Sequence, residues 1–248
     1  MSKSKNKARV PKQDTSPQVF QRDKIGYDFN IRELPWTEKQ KKFIELALDK
    51  NTKLILLKGS AGTSKTFLSM FVALQLLKHK KVSDIVLVRS AVESADSKLG
   101  FLPGDLMEKF GVYITPFKDK MDELLSGDTI KKLEKDNRIQ ICPINFARGM
   151  HWAAKCILAD EAQNFTSGEL KTLLTRIGQF SKVFLCGDPS QSDLQNGKSE
   201  GFIKVYELFD NMDAREQGIY TFEFNDEDDV IRSEFVKFII KSFKNFKK

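Results

Sequence analysis

A lysine and a threonine behind a small-residue loop can do phosphate chemistry, and Gly59-Ser60-Ala61-Gly62-Thr63-Ser64-Lys65-Thr66 has that form. Water already solvates a polyphosphate well, so a protein must offer converging donors with few side chains in the way. Backbone N–H groups of such a loop, aided by the positive end of the following helix, suit the β-phosphate. Lys65 is expected to reach the β- and γ-phosphates of ATP, and the Thr66 hydroxyl to bind Mg²⁺. One position departs from the usual G-x-x-x-x-G-K-[ST] pattern, since Ser64 stands where the last glycine belongs. As the residue that begins the helix, Ser64 is expected to have a right-handed backbone and to leave nucleotide binding intact. In isolation, a glycine-rich turn with a solvated lysine has the same appearance.

Downstream residues supply the missing parts. Lys155 to Gln163 reads as a short buried strand ending in Asp160 and Glu161, at the edge where an open α/β sheet presents its ligand. Asp160 is a candidate Mg²⁺ ligand, direct or through water. Glu161 is the candidate to orient or deprotonate an attacking water. A third apolar run, Lys182 to Cys186, exits through Gly187-Asp188-Pro189-Ser190-Gln191, leaving Gln191 at the same edge as a candidate γ-phosphate sensor.

Taken together these pieces resemble the PhoH-like proteins, phosphate-starvation-inducible P-loop ATPases related to the first core of superfamily-one helicases. The resemblance is carried by the phosphate loop and by Arg89-Ser90-Ala91-Val92, Lys98 to Leu106, Phe146-Ala147-Arg148-Gly149, Asp160 to Asn164, Leu174 to Gly178 and Gly187 to Leu194. It covers about residues 34 to 246, with Ser60, Ser64 and Ser90 departing from the usual family residues. The resemblance implies a RecA-like P-loop NTPase fold in three layers and an ATPase using Mg²⁺. It also implies an adenine-reading role for Gln40 and a γ-phosphate contact for Arg232, an effect worth about 10³ to 10⁵ in rate where such arginines act. Arg148 and Arg176 are weaker candidates for arginines that cross to a neighbouring subunit.

These residues need elements to hold them. Pro35-Trp36-Thr37-Glu38 offers a helix start with Thr37 as the cap, leading into Lys39 to Asp49. Strands are expected at 53–58, 85–89, 139–142, 156–160, 182–186 and 219–224. Helices between them predict an α/β chain with a mostly parallel central sheet covered on both faces. Residues 91–138 form a long excursion, helical around 106–125 and 129–135. The domain is expected to span residues 33–248, preceded by a basic, mobile arm over 1–32 that carries Lys3, Lys5, Lys7, Arg9 and Lys12.

Composition narrows the remaining classes. Cys142, Cys156 and Cys186 lack C-x-x-C spacing, and two histidines leave a histidine metal site or a Ser-His-Asp triad short of parts. No apolar run is long enough to span a bilayer and the start is basic and polar, so no membrane association and a cytoplasmic location are expected. With 41 basic against 34 acidic residues the chain carries +7, and single-stranded nucleic acid, RNA above all, is the expected partner. Two features point that way: the Phe101 to Gly104 loop, and a final helix with Phe235, Val236, Ile239, Ile240 and Phe243 on one side and lysines on another. Helicases use two cores around one nucleotide, whereas this chain has one phosphate loop. A homo-oligomeric ring, a hexamer by preference, would supply the second surface. Two other functions share these residues: a nucleotide-gated scaffold that hydrolyses slowly, and a P-loop kinase.

Overall fold

Strands that are apolar on both faces need cover on both sides. The computed structural model describes residues 23–60, 62–90, 106–192 and 200–224, together with Phe235, Phe238, Ile239 and Ser242. Six strands, β1 Leu54–Gly59, β2 Asp84–Arg89, β3 Ile139–Pro143, β4 Lys155–Ala159, β5 Lys182–Gly187 and β6 Ile219–Phe224, form one sheet in the order β3-β2-β4-β5-β1-β6. Every neighbouring pair is parallel. The carboxyl ends of β1, β4 and β5, which carry the candidate chemistry, therefore meet at one edge.

The helices are α1 Glu38–Leu48, α2 Lys65–Lys78, α3 Leu106–Leu124, α4 Gly127–Lys135, α5 Ser167–Leu174, α6 Gly201–Leu208 and α7 Met212–Glu216. Because side chains alternate across a strand, the sheet feeds two cores. Ile55, Leu57, Ile85, Leu87, Leu158 and Phe184 pack under α1 to α4, with Phe43, Leu68, Phe117 and Leu133. Leu54, Leu56, Val86, Val88, Ile157 and Leu185 pack against α5 and α6, with Leu170, Leu173 and Phe202. This is the expected three-layer α/β architecture.

Two helices matter most for the site. Thr37 caps α1 in a reciprocal box: its side chain accepts from Gln40 N–H, while Gln40 Oε1 accepts from Thr37 N–H. The caps satisfy donors that an α-helix start leaves without partners. α2 is buried on nearly every side, from Phe67 to Leu77. With fully buried Leu or Phe side chains worth about 1.5–3 kcal/mol each, its first turn is rigidly held, and so are Lys65 and Thr66.

Residues 23–32, expected to belong to a mobile arm, lie against the domain. Ile25 and Phe29 are buried, and Tyr27 and Ile31 pack against the same core. Arg32 N–H donates to Leu124 O at 2.8 Å, and Arg138 Nη1 donates to the Asp23 carbonyl at 2.7 Å. Apolar residues at every second position from Ile25 to Ile31 form a strap, a period hidden in the sequence because Gly26, Asp28 and Asn30 between them read as loop residues. Of the expected last helix, Phe235, Phe238, Ile239 and Ser242 are helical and exposed.

Candidate functional site

β1 delivers the chain into the phosphate loop at Gly59, where no side chain fits. A Cβ there would stand 2.7 Å from the Phe224 carbonyl oxygen and 2.9 Å from Thr63 Oγ1. The loop is braced from within, Thr63 Oγ1 donating to Ser60 O at 2.8 Å. Lys65 Nζ curls back over it, donating to Gly59 O at 2.8 Å and Ser60 O at 2.9 Å. Those carbonyls hold the ammonium where a phosphate oxygen would replace them.

Ser64 departs from expectation. It is left-handed, with φ 59° and ψ 16°, and its side chain does not cap α2. The tight passage from loop to helix requires a positive φ, which glycine adopts freely and a residue with a Cβ adopts at about 1–2 kcal/mol. The missing glycine is therefore a backbone question as well as a steric one.

Thr66 and Asp160, far apart in the chain, meet directly: Thr66 Oγ1 donates to Asp160 Oδ1 at 2.6 Å. Asp160 follows the end of β4, and its N–H is tied to Val88 O at 3.0 Å. Asp160 is almost fully buried. Glu161 comes next, again left-handed, with φ 54° and ψ 41°. Its carboxylate oxygen Oε2 accepts from Gln163 Nε2 at 2.6 Å. From β5, Asp188 Oδ1 accepts from Ser190 N–H at 3.0 Å and Ser190 Oγ at 2.7 Å, whereas Asp188 Oδ2 is buried without a hydrogen-bond partner.

These groups line one cavity of about 640 Å³, which Lys65, Thr66, Asp160, Glu161, Gln163, Asp188 and Gln191 reach from three strand ends. That volume suits a nucleotide-sized ligand. Its wall is amphipathic. Leu34, Pro35, Trp36 and Phe67 form an apolar end, with the Trp36 ring tilted against Phe71 at 4.8 Å and Phe67 at 6.1 Å between centroids. Pro116, Lys120 and Glu123 of α3 close another side. Cys186 also lines the cavity, but its thiol is pushed up to about 12, first by burial and next by the negative charge of Asp160. It stays neutral and is no nucleophile.

The candidates are not all assembled. Gln40 is fully buried in its capping box, outside the cavity wall, and its Nε2 has no partner. Gly59, Ser60 and Thr63 build the loop without lining the cavity. Ala61, Arg232 and the Phe101 to Gly104 loop lie outside the described residues. Arg148 is exposed, and Arg176 is half-buried with Nε lacking a partner. Sequence reasoning missed the site roles of Arg89, Gln163, Asp188 and Trp36. Each lay inside a quoted motif or beside a helix cap, but only the fold turns them toward the cavity.

Comparison with known proteins places this arrangement. The family model described as PhoH-like protein matches residues 34–244. A PhoH-like protein of Bacillus subtilis (strain 168) is 37% identical over 198 residues, covering 80% of this chain and 60% of that protein. One from Mycobacterium tuberculosis (strain ATCC 25618 / H37Rv) is 38% identical over 179 residues, or 72% and 50%. Protein PhoH of Escherichia coli (strain K12) is 35% identical over 160 residues, or 64% and 45%. The chain thus spans between 45% and 60% of the length of these relatives. A crystal structure of Pif1 helicase from Candida albicans is similar over 78% of this chain and 40% of its own, with 18% identity and a TM-score of 0.36.

Proposed function

The chain belongs to the PhoH-like protein family, and from that premise we propose that it is an ATPase that uses Mg²⁺ and acts on single-stranded nucleic acid, RNA in preference to DNA. The observation that carries the reading is the 2.6 Å contact between Thr66 and Asp160 inside a cavity also lined by Lys65, Glu161 and Gln191. A phosphate lysine, a hydroxyl–carboxylate pair and a water-handling glutamate are together the parts that phosphoryl transfer to water requires.

Each residue has a role in this reading. Lys65 exchanges the Gly59 and Ser60 carbonyls for β- and γ-phosphate oxygens. Gln191 contacts the γ-phosphate, and Glu161 orients the attacking water and takes its proton. The apolar end at Leu34, Pro35 and Trp36 receives the base, and Gln40 fixes that wall from behind through its bond to Thr37. Among the described residues no group of three or more His, Cys, Asp or Glu is placed to hold a metal ion alone. That fits a cation shared with substrate phosphates, as Mg²⁺ commonly is. Thr66 and Asp160 would hold it, and it would neutralise charge on the phosphate oxygens. Arg232 is assigned to the γ-phosphate by family resemblance.

Assembly as a ring of identical subunits, hexameric by preference, completes the proposal, with Arg148 or Arg176 reaching a neighbour's nucleotide. The expected location is the cytoplasm. Among the described residues no helix is long and apolar enough to cross a membrane.

The test is phosphate release from ATP across a panel of RNA and DNA strands, with solution mass measured in the presence of ATP and Mg²⁺. Stimulation by single-stranded RNA and a ring-sized mass are expected. No stimulation by any polynucleotide removes the nucleic-acid reading, a strict monomer removes the ring, and a phosphorylated acceptor in place of free phosphate makes the chain a kinase. Lys65→Ala is expected to cost about 2–5 kcal/mol of ATP binding, the range for removing one partner of a close charge pair, read by titration with a fluorescent ATP analogue.

A further inference from the structure

Glu161 is a demanding residue to hold in place. Its left-handed backbone sits at the start of a short turn and its side chain makes no capping bond, so another group must fix the carboxylate. Gln163 does this while 99% removed from solvent. Its amide makes three contacts, and their chemistry fixes which way it points. Asp188 N–H can only donate, so the atom it meets at 2.9 Å must be Oε1. Nε2 then faces two acceptors, Glu161 Oε2 at 2.6 Å and the Gln191 carbonyl at 3.5 Å. A fourth bond ties the backbone, Ser192 Oγ donating to Gln163 O at 3.2 Å. One side chain therefore spans from the β4 exit to the β5 exit, touching the candidate base and the turn that carries the candidate γ-phosphate sensor.

We propose that Gln163 is a positioning residue: it aims the Glu161 carboxylate and couples it to the Asp188–Ser192 turn, so that a shift of Gln191 on nucleotide is felt at Glu161. Gln163 touches no reacting atom; it acts through Glu161. A glutamine suits the place because only a neutral amide offers an acceptor to one neighbour and two donors to the others. A carboxylate would face Glu161 with like charge, and a shorter amide would not reach both strand exits. The inference rests on Glu161 acting as the base.

The test compares Glu161→Gln, Gln163→Leu and Gln163→Glu in the full chain, measuring kcat and KM for ATP, ATP affinity with a fluorescent analogue, and Tm. Glu161→Gln is the control, and if it keeps wild-type turnover both this inference and the assignment of the base fall. If it loses turnover, Gln163→Leu is expected to lower kcat about tenfold or more, short of the ~10²-fold or larger loss of a missing base, with KM and ATP affinity within a few-fold of wild type. Gln163→Glu supplies an answer even if the leucine variant does not fold: it keeps the length of the side chain but sets a like charge against Glu161, and kcat is expected to fall about tenfold or more while KM and ATP affinity hold. A merely structural role moves Tm and KM together with kcat. Turnover within twofold of wild type in Gln163→Leu or Gln163→Glu, or a loss that falls on KM instead of kcat, overturns the proposal.

Discussion

The two edges of the same sheet treat charge in opposite ways. At the amino edge, Asp84 is completely buried, yet Ser83 Oγ donates to it at 3.0 Å and Arg138 and Lys155 stand at 3.5 and 3.8 Å. Lys182 there donates to the Ala47 and Asp49 carbonyls at the end of α1, and its burial holds the ammonium below its ordinary pKa. Strain and unmet valences are not lacking there: Lys80, Asn137, Ala154 and Phe180, in the segments that enter the strands, hold positive φ, and Thr52 Oγ1 and Arg138 Nε are buried without a hydrogen-bond partner. At the carboxyl edge Ser64 and Glu161 hold positive φ, Asp188 Oδ2 has no partner, and Lys65 occupies loop carbonyls beside a cavity. Buried charges are costly unless paired. What separates the two edges is where the charges point: at the amino edge they meet one another and backbone carbonyls inside the protein and stabilise the fold, whereas at the carboxyl edge they face a cavity that a ligand can fill.

Substitutions can break this contrast or sharpen it. The largest effect is expected from Glu161→Gln, which should lower ATP turnover by about 10²–10⁴ while ATP affinity, measured by analogue titration, and Tm stay near wild type. Equal turnover would remove Glu161 from the mechanism and the contrast with it. Asp84→Ala is expected to do the reverse, costing about 3–5 kcal/mol of stability by leaving Arg138 and Lys155 uncompensated, read by chemical denaturation. ATP affinity below the unfolding transition should hold. The smallest change is Ser64→Gly. Relief of left-handed strain, about 1–2 kcal/mol, is offset by roughly 0.4–1 kcal/mol of extra unfolded-chain entropy, for a net gain between about zero and 1.6 kcal/mol. Tm should rise by no more than about 6 °C. A large rise in turnover from that substitution would instead favour the slow, nucleotide-gated scaffold, with Ser64 as its brake.

Much of this was legible in the residue order. The six apolar runs became six strands within a residue or two at each end, because a sheet covered on both faces demands continuous hydrophobicity. The cap at Thr37 was readable for a local reason, since its bond closes within three residues. Other features were hidden by distance or by neighbours. The strap from Ile25 to Ile31 was obscured by Gly26, Asp28 and Asn30, residues typical of loops. α3 reaches the cavity through Pro116, Lys120 and Glu123 only after a long excursion, and no local pattern says where such a helix returns.

The phosphate loop, the acidic pair after β4 and the strand pattern depend on short-range chemistry and periodicity, so the sequence by itself determined them. The fold alone decided that Thr66 would touch Asp160, that Ser64 must be left-handed, that Gln40 would turn inward, and that Gln163 would bridge two strand exits. Those outcomes depend on parallel strands bringing distant loops to one edge, and on backbone angles set by the turn between strand and helix. Neither is encoded in any window of neighbouring residues.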